Sequence, residues 1–90
     1  MQTFRWTDGR TSMPVGEYQV TDVYFGAFAL MRGAKLLRSV RNEKGYLDWI
    51  FEADQMRELF QEWRNPQLEV NVKQFLDNVR YLRGMYHVTE

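Results

Sequence analysis

The stretch VYFGAFALM, residues 23–31, is apolar almost without interruption and decides the fold. Thr21 or Asp22 before it can cap a helix, because a side-chain oxygen there accepts hydrogen bonds from free backbone N–H groups. Gly33 after it suits the left-handed conformation that ends many helices. These signals predict a helix over about 22–32. Since it is apolar nearly all round, this helix has to lie in the centre of the core or be shared with another chain.

Two further helices are predicted from one-sided apolar stripes. The first runs over about 55–64, is capped by Asp54 and is stopped by the Asn-Pro pair at 65–66. The second is capped by Asn71 and ends near 84–86. In both, apolar residues recur at the spacing of a helix face. The stripes consist of Met56, Leu59, Phe60 and Trp63, and then of Val72, Phe75, Leu76, Val79 and Leu82.

A β-hairpin is predicted between the first and second helices. Helical periodicity is lost over 34–41, and Asn42-Glu43-Lys44-Gly45 is typical of a polar turn. In the following strand, 46–52, successive side chains point to opposite sides. We expect one side to pack on the helices and the other to face away. The first comprises Leu47, Trp49 and Phe51, and the second Tyr46, Asp48, Ile50 and Glu52.

The predicted fold class is α+β, with a two-stranded antiparallel hairpin packed on three helices in the order helix, strand, strand, helix, helix. Residues 18–90 form this single domain, since 90 residues suffice for one modest core. Residues 1–17 are rich in Gly, Thr and Ser and are predicted to be a mobile arm or an edge strand. A strand near Phe4 would support the hairpin, because a lone hairpin is marginally stable in water.

The composition excludes several functional classes. Twelve basic and twelve acidic side chains give no net charge, so the molecule as a whole does not attract polyphosphate or an anionic membrane. The sequence contains no Cys, which removes disulfides, thiolate zinc sites and Cys nucleophiles. No segment approaches the roughly 18 apolar residues that span a bilayer. We therefore predict a soluble cytoplasmic protein with no membrane partner.

No constellation of residues indicates catalysis or metal binding. His87 is the only histidine, and the sequence places no nucleophile or carboxylate beside it. The acidic run has structural explanations: Glu58 and Glu62 lie one turn apart on the polar back of a helix, Asp54 is a cap, and Glu52 ends a strand. We predict no enzyme activity, no catalytic residue, no cofactor and no metal.

Two sets of residues are candidates for binding. Aromatic residues make up 16% of the chain, which can exceed what a small core buries, and aromatics and Arg are enriched at interface hot spots. Phe4, Trp6 and Trp49 are candidates for a protein interface, unless they lie in the core. Five cations in the hairpin region are candidates for nucleic-acid contact, unless they form a solvated strand edge. They are Arg32, Lys35, Arg38, Arg41 and Lys44.

A recurring order of features connects the chain to known sequences. A Tyr and a Thr-Asp pair precede an Ala-rich helix that is closed by Gly. After this helix come a Phe-containing strand, a helix that ends in an aromatic residue and an Asn, and a helix with Phe and basic residues. They are Tyr18, Thr21, Asp22, Gly33, Trp49-Ile50-Phe51-Glu52, Trp63, Asn65, Phe75 and residues 80–83. Over about 18–86 the chain resembles an uncharacterised family of small bacterial and bacteriophage proteins, a domain of unknown function. The resemblance implies an origin in phage or mobile DNA and no catalytic residues.

The function predicted from these observations is a small non-enzymatic protein-binding module of phage or mobile-element type. It would act by occupying a surface on a host or phage protein. The alternative is a nucleic-acid-binding accessory protein whose arginine-rich hairpin contacts the backbone. A homodimer is a further prediction, because apolar residues that the core does not bury can form an interface and symmetric dimers are the commonest assembly.

Overall fold

The central helix of the fold is α1, Val23–Met31, as the sequence predicts. A computed structural model describes residues 16–87 of the chain. Asp22 is the cap, and its Oδ1 accepts a hydrogen bond from the Tyr24 N–H at 2.9 Å. Gly33 follows the helix with a φ of +89°, the left-handed conformation predicted for it. Residues 25–29 are all buried, so α1 is enclosed on nearly every side.

Three strands and two more helices surround α1, in the order strand, helix, strand, strand, helix, helix. They are β1, Glu17–Val20; β2, Leu36–Arg41; β3, Leu47–Glu52; α2, Met56–Trp63; and α3, Val72–Gly84, which is followed by a 3-10 turn, Met85–His87. No helix within residues 16–87 is long and apolar enough to cross a membrane.

The sheet has three antiparallel strands in the spatial order β1-β3-β2. The α+β class is confirmed, but the two-stranded sheet and its element order are wrong. β1 pairs with β3 from Glu17 opposite Glu52 to Val20 opposite Trp49. The sequence does not reveal β1, because a strand of four residues is too short for a clear alternation and its partner follows only after α1 and β2. A strand near Phe4 would lie outside the described residues.

The predicted hairpin of β2 and β3 is confirmed, with an irregular register at the start of β2. The Asn42 side chain organises its turn. Its Oδ1 accepts hydrogen bonds from the backbone N–H groups of Lys44 at 2.9 Å and Tyr46 at 3.0 Å. Gly45 has a φ of +85°, which explains the glycine at this position.

One hydrophobic core lies between the sheet and the helices. β3 contributes Leu47, Trp49 and Phe51, the three side chains that the alternation predicts on this side. The largest fully buried side chains come from β3 and all three helices: Phe28, Phe51, Met56 and Leu82. Burying a side chain of this size stabilises the fold by about 1.5–3 kcal/mol.

α1 and α3 approach each other closely at Gly26. A Cβ atom on this residue would lie 3.0 Å from Leu82 Cδ1, closer than ordinary van der Waals contact. One turn of α3 earlier, Asn78 Nδ2 donates a hydrogen bond to the Ala27 carbonyl oxygen at 3.3 Å. The missing side chain at Gly26 therefore allows the spacing at which the two helices pack.

The other side of the sheet is less exposed than the sequence predicts. The alternation places Asp48 and Ile50 on the side that faces away from the helices, yet each is only 2% exposed. Asp48 Oδ2 accepts a hydrogen bond from Gln19 Nε2 at 2.6 Å, and Asp48 Oδ1 accepts one from Asn42 Nδ2 at 3.1 Å. This buried carboxylate therefore joins β1 to the hairpin turn.

α2 begins without the predicted cap. The residue before the helix is Gln55, which has a φ of +69° and no side-chain hydrogen bond to the helix. The assignment of Asp54 as the cap is therefore wrong. A tight turn follows β3 and is closed by a hydrogen bond from the Met56 N–H to the Ala53 carbonyl oxygen at 3.1 Å. This turn places Asp54 one residue too early to cap the helix.

We predict that Gly26→Val lowers the free energy of unfolding by about 1–3 kcal/mol, because the added carbons meet Leu82 in a packed core. Urea unfolding at unchanged m-value measures the effect. The matched control is Gly84→Val at the end of α3, where a Cβ atom meets nothing within 4 Å. The control should change stability by about 0.5 kcal/mol or less. Equal stabilities for the two variants would show that the close approach at Gly26 is unimportant.

We also predict that Asp48→Asn destabilises the fold by about 1–3 kcal/mol, because two half-buried amide donors lose a charged, buried acceptor. Thermal and urea unfolding test this. Asp54→Asn is the control, since Asp54 is exposed and should tolerate the change within about 0.5 kcal/mol. An Asp48→Asn protein as stable as the control would mean that the carboxylate does not hold β1 to the turn.

Candidate interaction surface

Six aromatic rings form a connected cluster between the helices. Trp63 of α2 lies at its centre, with its ring centroid 5.4 Å from that of Phe28, 6.3 Å from that of Phe25 and 6.1 Å from that of Phe75. Aromatic pairs at such distances contribute about 0.5–1.5 kcal/mol each beyond the area that they bury. The centre of the cluster is therefore a rigid continuation of the core.

The two ends of the cluster reach solvent. Phe60 packs edge-on against Phe25, with the centroids 5.4 Å apart and the planes at 80°, and it is still 38% exposed. Tyr24 stacks on Phe75 at 6.3 Å and is 45% exposed. Both exposed rings are thus held in place by rings beneath them.

Two exposed aliphatic side chains lie on α3, the helix that also carries Phe75. Val72 and Leu76 lie one turn apart and are 66% and 42% exposed. The sequence assigns them to a buried stripe, but only Val79 and Leu82 of α3 are fully enclosed. We define the aromatic surface as the four exposed apolar side chains together with the two half-buried rings behind them. Its members are Tyr24, Phe60, Val72 and Leu76, with Trp63 and Phe75.

Three exposed arginines border the aromatic surface, and none has a carboxylate partner within residues 16–87. The Arg64 guanidinium lies 5.7 Å from the centroid of the Phe60 ring. The Arg83 guanidinium lies 5.5 Å from the centroid of the Tyr24 ring, and its Nη2 donates to the Tyr24 hydroxyl oxygen at 3.0 Å. Arg57 lies one turn before Phe60 on α2. We call these three residues the arginine rim.

A pocket of about 160 Å³ opens beside Phe60, at the connection between β1 and α1. Its apolar walls are Val20, Phe25 and Phe60, and Asp22 and Gln19 contribute polar atoms. Sites for small molecules are usually about 300–1,000 Å³ in volume. This pocket therefore has room for a single side chain of a partner rather than for a cofactor.

Of the three residues predicted for an aromatic interface, the structure describes only Trp49. Trp49 is 3% exposed and lies in the core, so its assignment to a protein interface is corrected here. Its indole Nε1 is buried with no hydrogen-bond acceptor among the described residues. Phe4 and Trp6 lie outside the described residues. Sequence reasoning missed the aromatic surface because helical spacing marks Phe60 as a core residue.

Three of the five predicted nucleic-acid contacts are engaged within the molecule. Arg32 donates to Glu62 at 2.7 Å, and Arg38 forms two hydrogen bonds with Glu17 at 2.7 and 2.9 Å. Arg41 donates to two backbone carbonyl oxygens, those of residues 45 and 86, at 3.0 and 3.1 Å.

Lys35 and Lys44 are exposed, and neither has an ion-pair partner within residues 16–87. The five cations thus extend toward α2, toward β1, toward the 3-10 turn and into solvent. Three of the five are therefore held by partners on different elements of the fold. Within the same residues, no three His, Asp or Glu side chains converge in a way that could hold a metal ion.

The ion pair of Glu17 with Arg38 crosses the sheet. β1 and β2 flank β3 on opposite sides, so this bond has to pass over β3, where Ile50 stands opposite Gln19 and Arg38. The hydrogen bonds from Arg38 lower the pKa of Glu17 from its ordinary value of 4.5, and those to Glu17 raise the pKa of Arg38. The bond therefore favours the charged forms of both groups.

We predict that Arg38→Gln returns the pKa of Glu17 toward its ordinary value of 4.5, as measured by NMR titration of the carboxyl group. Because the folded pKa is the lower one, the pair stabilises the fold fully above that ordinary value, and this stabilisation is lost as the pH falls through the lowered pKa. The stability difference between wild type and variant should therefore shrink in acid. Lys35→Gln removes an unpaired cation and should leave the titration of Glu17 unchanged. A titration of Glu17 unaffected by Arg38→Gln would contradict the assignment.

Comparison with known sequences agrees with the resemblance noted above. A family model described as a domain of unknown function, DUF5659, matches residues 15–88, and it says nothing about a bacterial or phage origin. No curated protein and no solved structure matches the chain. The matched residues include all the helices and strands described here, together with the aromatic surface and the arginine rim. Since the match covers well over half of the sequence, the chain belongs to the DUF5659 family.

Proposed function

We propose that this protein is a small non-enzymatic protein-binding module that acts by occupying a surface on a partner protein. The observation that carries the proposal is the aromatic surface: four apolar side chains are exposed, and two of them, Phe60 and Tyr24, lie beside the guanidinium groups of Arg64 and Arg83. Trp, Tyr and Arg dominate the hot spots of protein interfaces, which typically lie in well-packed centres. The aromatic surface and the arginine rim together supply these residue types.

Rigidity of the exposed rings supports this proposal. Binding usually costs about 0.5–1.5 kcal/mol for each flexible side chain that has to be immobilised. Tyr24 and Phe60 are already held by rings of the core, at 6.3 and 5.4 Å. They can therefore bury area on a partner with little loss of side-chain freedom. The half-buried Trp63 and Phe75 give the surface a firm base.

The origin and location that we propose rest on the sequence. A host or phage protein is the partner class that the phage or mobile-element resemblance implies. A cytoplasmic location follows from the cysteine-free sequence, because disulfides are common in secreted domains of this size. Homodimer formation remains a prediction.

Nucleic-acid binding through the hairpin is the second candidate function, and the positions of the cations favour it less. Arg32, Arg38 and Arg41 already donate to partners within the fold. Contact with a phosphate backbone would have to compete with these bonds. Lys35 and Lys44 are the two hairpin cations that stay available for such contact.

We predict that the double variant Val72→Ser with Leu76→Ser loses the protein partners that the wild type captures from a lysate of its source organism, because it removes exposed apolar area without touching the core. Tyr24→Ser should show the same loss. Tyr81→Ser is the matched control, because Tyr81 is 58% exposed on the opposite side of α3. Quantitative mass spectrometry of nuclease-treated samples measures the captured proteins.

Retention of the same partners by all variants would overturn the proposal for this surface. Partners that disappear on nuclease treatment, together with recovered nucleic acid, would favour the hairpin alternative. Loss of binding in Lys35→Glu with Lys44→Glu would then locate the nucleic-acid contact.

A further inference from the structure

We infer that the segment bound by the aromatic surface is acidic, with apolar side chains flanked by Asp or Glu that the arginine rim recognises. This inference rests on the proposed function above and adds the chemistry of the partner. It is carried by the positions of Arg64 and Arg83 beside exposed rings and by the lack of carboxylate partners for the rim arginines within the described residues.

The arginine rim is suited to bind carboxylates. A guanidinium group stacked on a ring is held in one plane, so less of its freedom is lost when it binds. Arg64 lies over Phe60, and Arg83 lies over Tyr24 and donates one N–H to its hydroxyl oxygen. A guanidinium has five N–H donors in all, so each arginine retains enough for a two-point contact with a carboxylate.

Other cations around the helices are neutralised locally, which makes the rim distinct. Arg32 pairs with Glu62, and both Lys73 and Arg80 pair with Asp77 at 3.6 and 3.3 Å. Of the carboxylates close to the aromatic surface in the sequence, Glu62 and Asp77 are paired, Asp22 caps α1, and Glu58 and Glu69 are exposed. The whole chain has no net charge, yet no carboxylate within residues 16–87 pairs with an arginine of the rim.

Charge disfavours the two occupants that the chain itself could supply. A second copy docked symmetrically would add a second arginine rim to the same interface, where like charges repel each other. The residues before Gly16 carry Arg5 and Arg10 against Asp8, so they do not complement the rim either. An acidic partner segment removes this repulsion. Its apolar residues can cover Val72 and Leu76, and one side chain can enter the pocket beside Phe60.

Selection from a displayed library of random peptides on the immobilised full-length protein tests the inference. We expect the enriched peptides to combine apolar residues with an excess of Asp and Glu. A synthetic enriched peptide should bind about tenfold or more weakly to Arg64→Glu with Arg83→Glu, because attraction becomes repulsion. Lys35→Glu with Lys44→Glu changes the net charge by the same amount away from the surface, and it should alter the affinity by about twofold or less.

The possible results separate the inference from the proposed function. Enriched peptides without excess acidic residues, or an equal loss of affinity in both charge-reversed variants, would overturn the inference. If those peptides still fail to bind Val72→Ser with Leu76→Ser, the aromatic surface remains a protein-binding site. Failure to enrich any peptide would also overturn the inference, because the aromatic surface would then not bind a short segment.

Two further measurements use the same proteins. Titration with a single-stranded oligothymidine would assign the rim to nucleic acid if binding were lost only in Arg64→Glu with Arg83→Glu. Sedimentation would assign the surface to a second copy if a dimer dissociated in Val72→Ser with Leu76→Ser. Either result would overturn the acidic-partner inference. As a control, the charge-reversed variants should have the circular dichroism spectrum and melting temperature of the wild type, which excludes unfolding as the cause of lost binding.

Discussion

The fold depends on one constraint: α1 has no polar side and must be enclosed. The sheet covers it through Val20 and Phe51, and α3 covers it through the close contact between Gly26 and Leu82. Since Gly26 has no side chain, α3 lies near enough for Asn78 to bond to the backbone of α1. Any weakening of this contact would expose apolar surface that no polar group can compensate.

α2 covers α1 less completely than α3 does, and this incomplete cover leaves the aromatic surface exposed. α2 has eight residues and α3 has thirteen, so α2 covers a shorter part of α1. Trp63 fills the space between the helices and leaves Phe60 and Tyr24 at the two margins of the ring cluster. The same ring cluster thus packs into the core and also presents apolar area to solvent. The residues that stabilise the fold therefore also support the surface that we propose for binding.

Neutral overall charge conceals an uneven distribution. Arg32 and Arg38 pair with carboxylates from other elements, whereas Arg64 and Arg83 of the arginine rim lie over aromatic rings. Exposed surface ion pairs contribute little to stability, but they remove charge from the surface that a partner meets. The arginines without carboxylate neighbours are therefore the ones most available for recognition, and they border the exposed rings.

Local patterns in the sequence determined α1 with its Asp22 cap and its end at Gly33, the hairpin turn at Asn42, and the cap of α3 at Asn71, because each depends on residues a few positions apart. Only the tertiary structure decided the rest. β1 exists because β3 pairs with it, and the burial of Asp48 and Ile50 on the other side of the sheet appears only in the folded chain. Helical spacing shows which side of α2 and α3 is apolar, but not how much of that side the neighbouring helices cover. The extent of this cover decides whether Phe60 and Leu76 are buried or exposed. It therefore also decides where the candidate site lies.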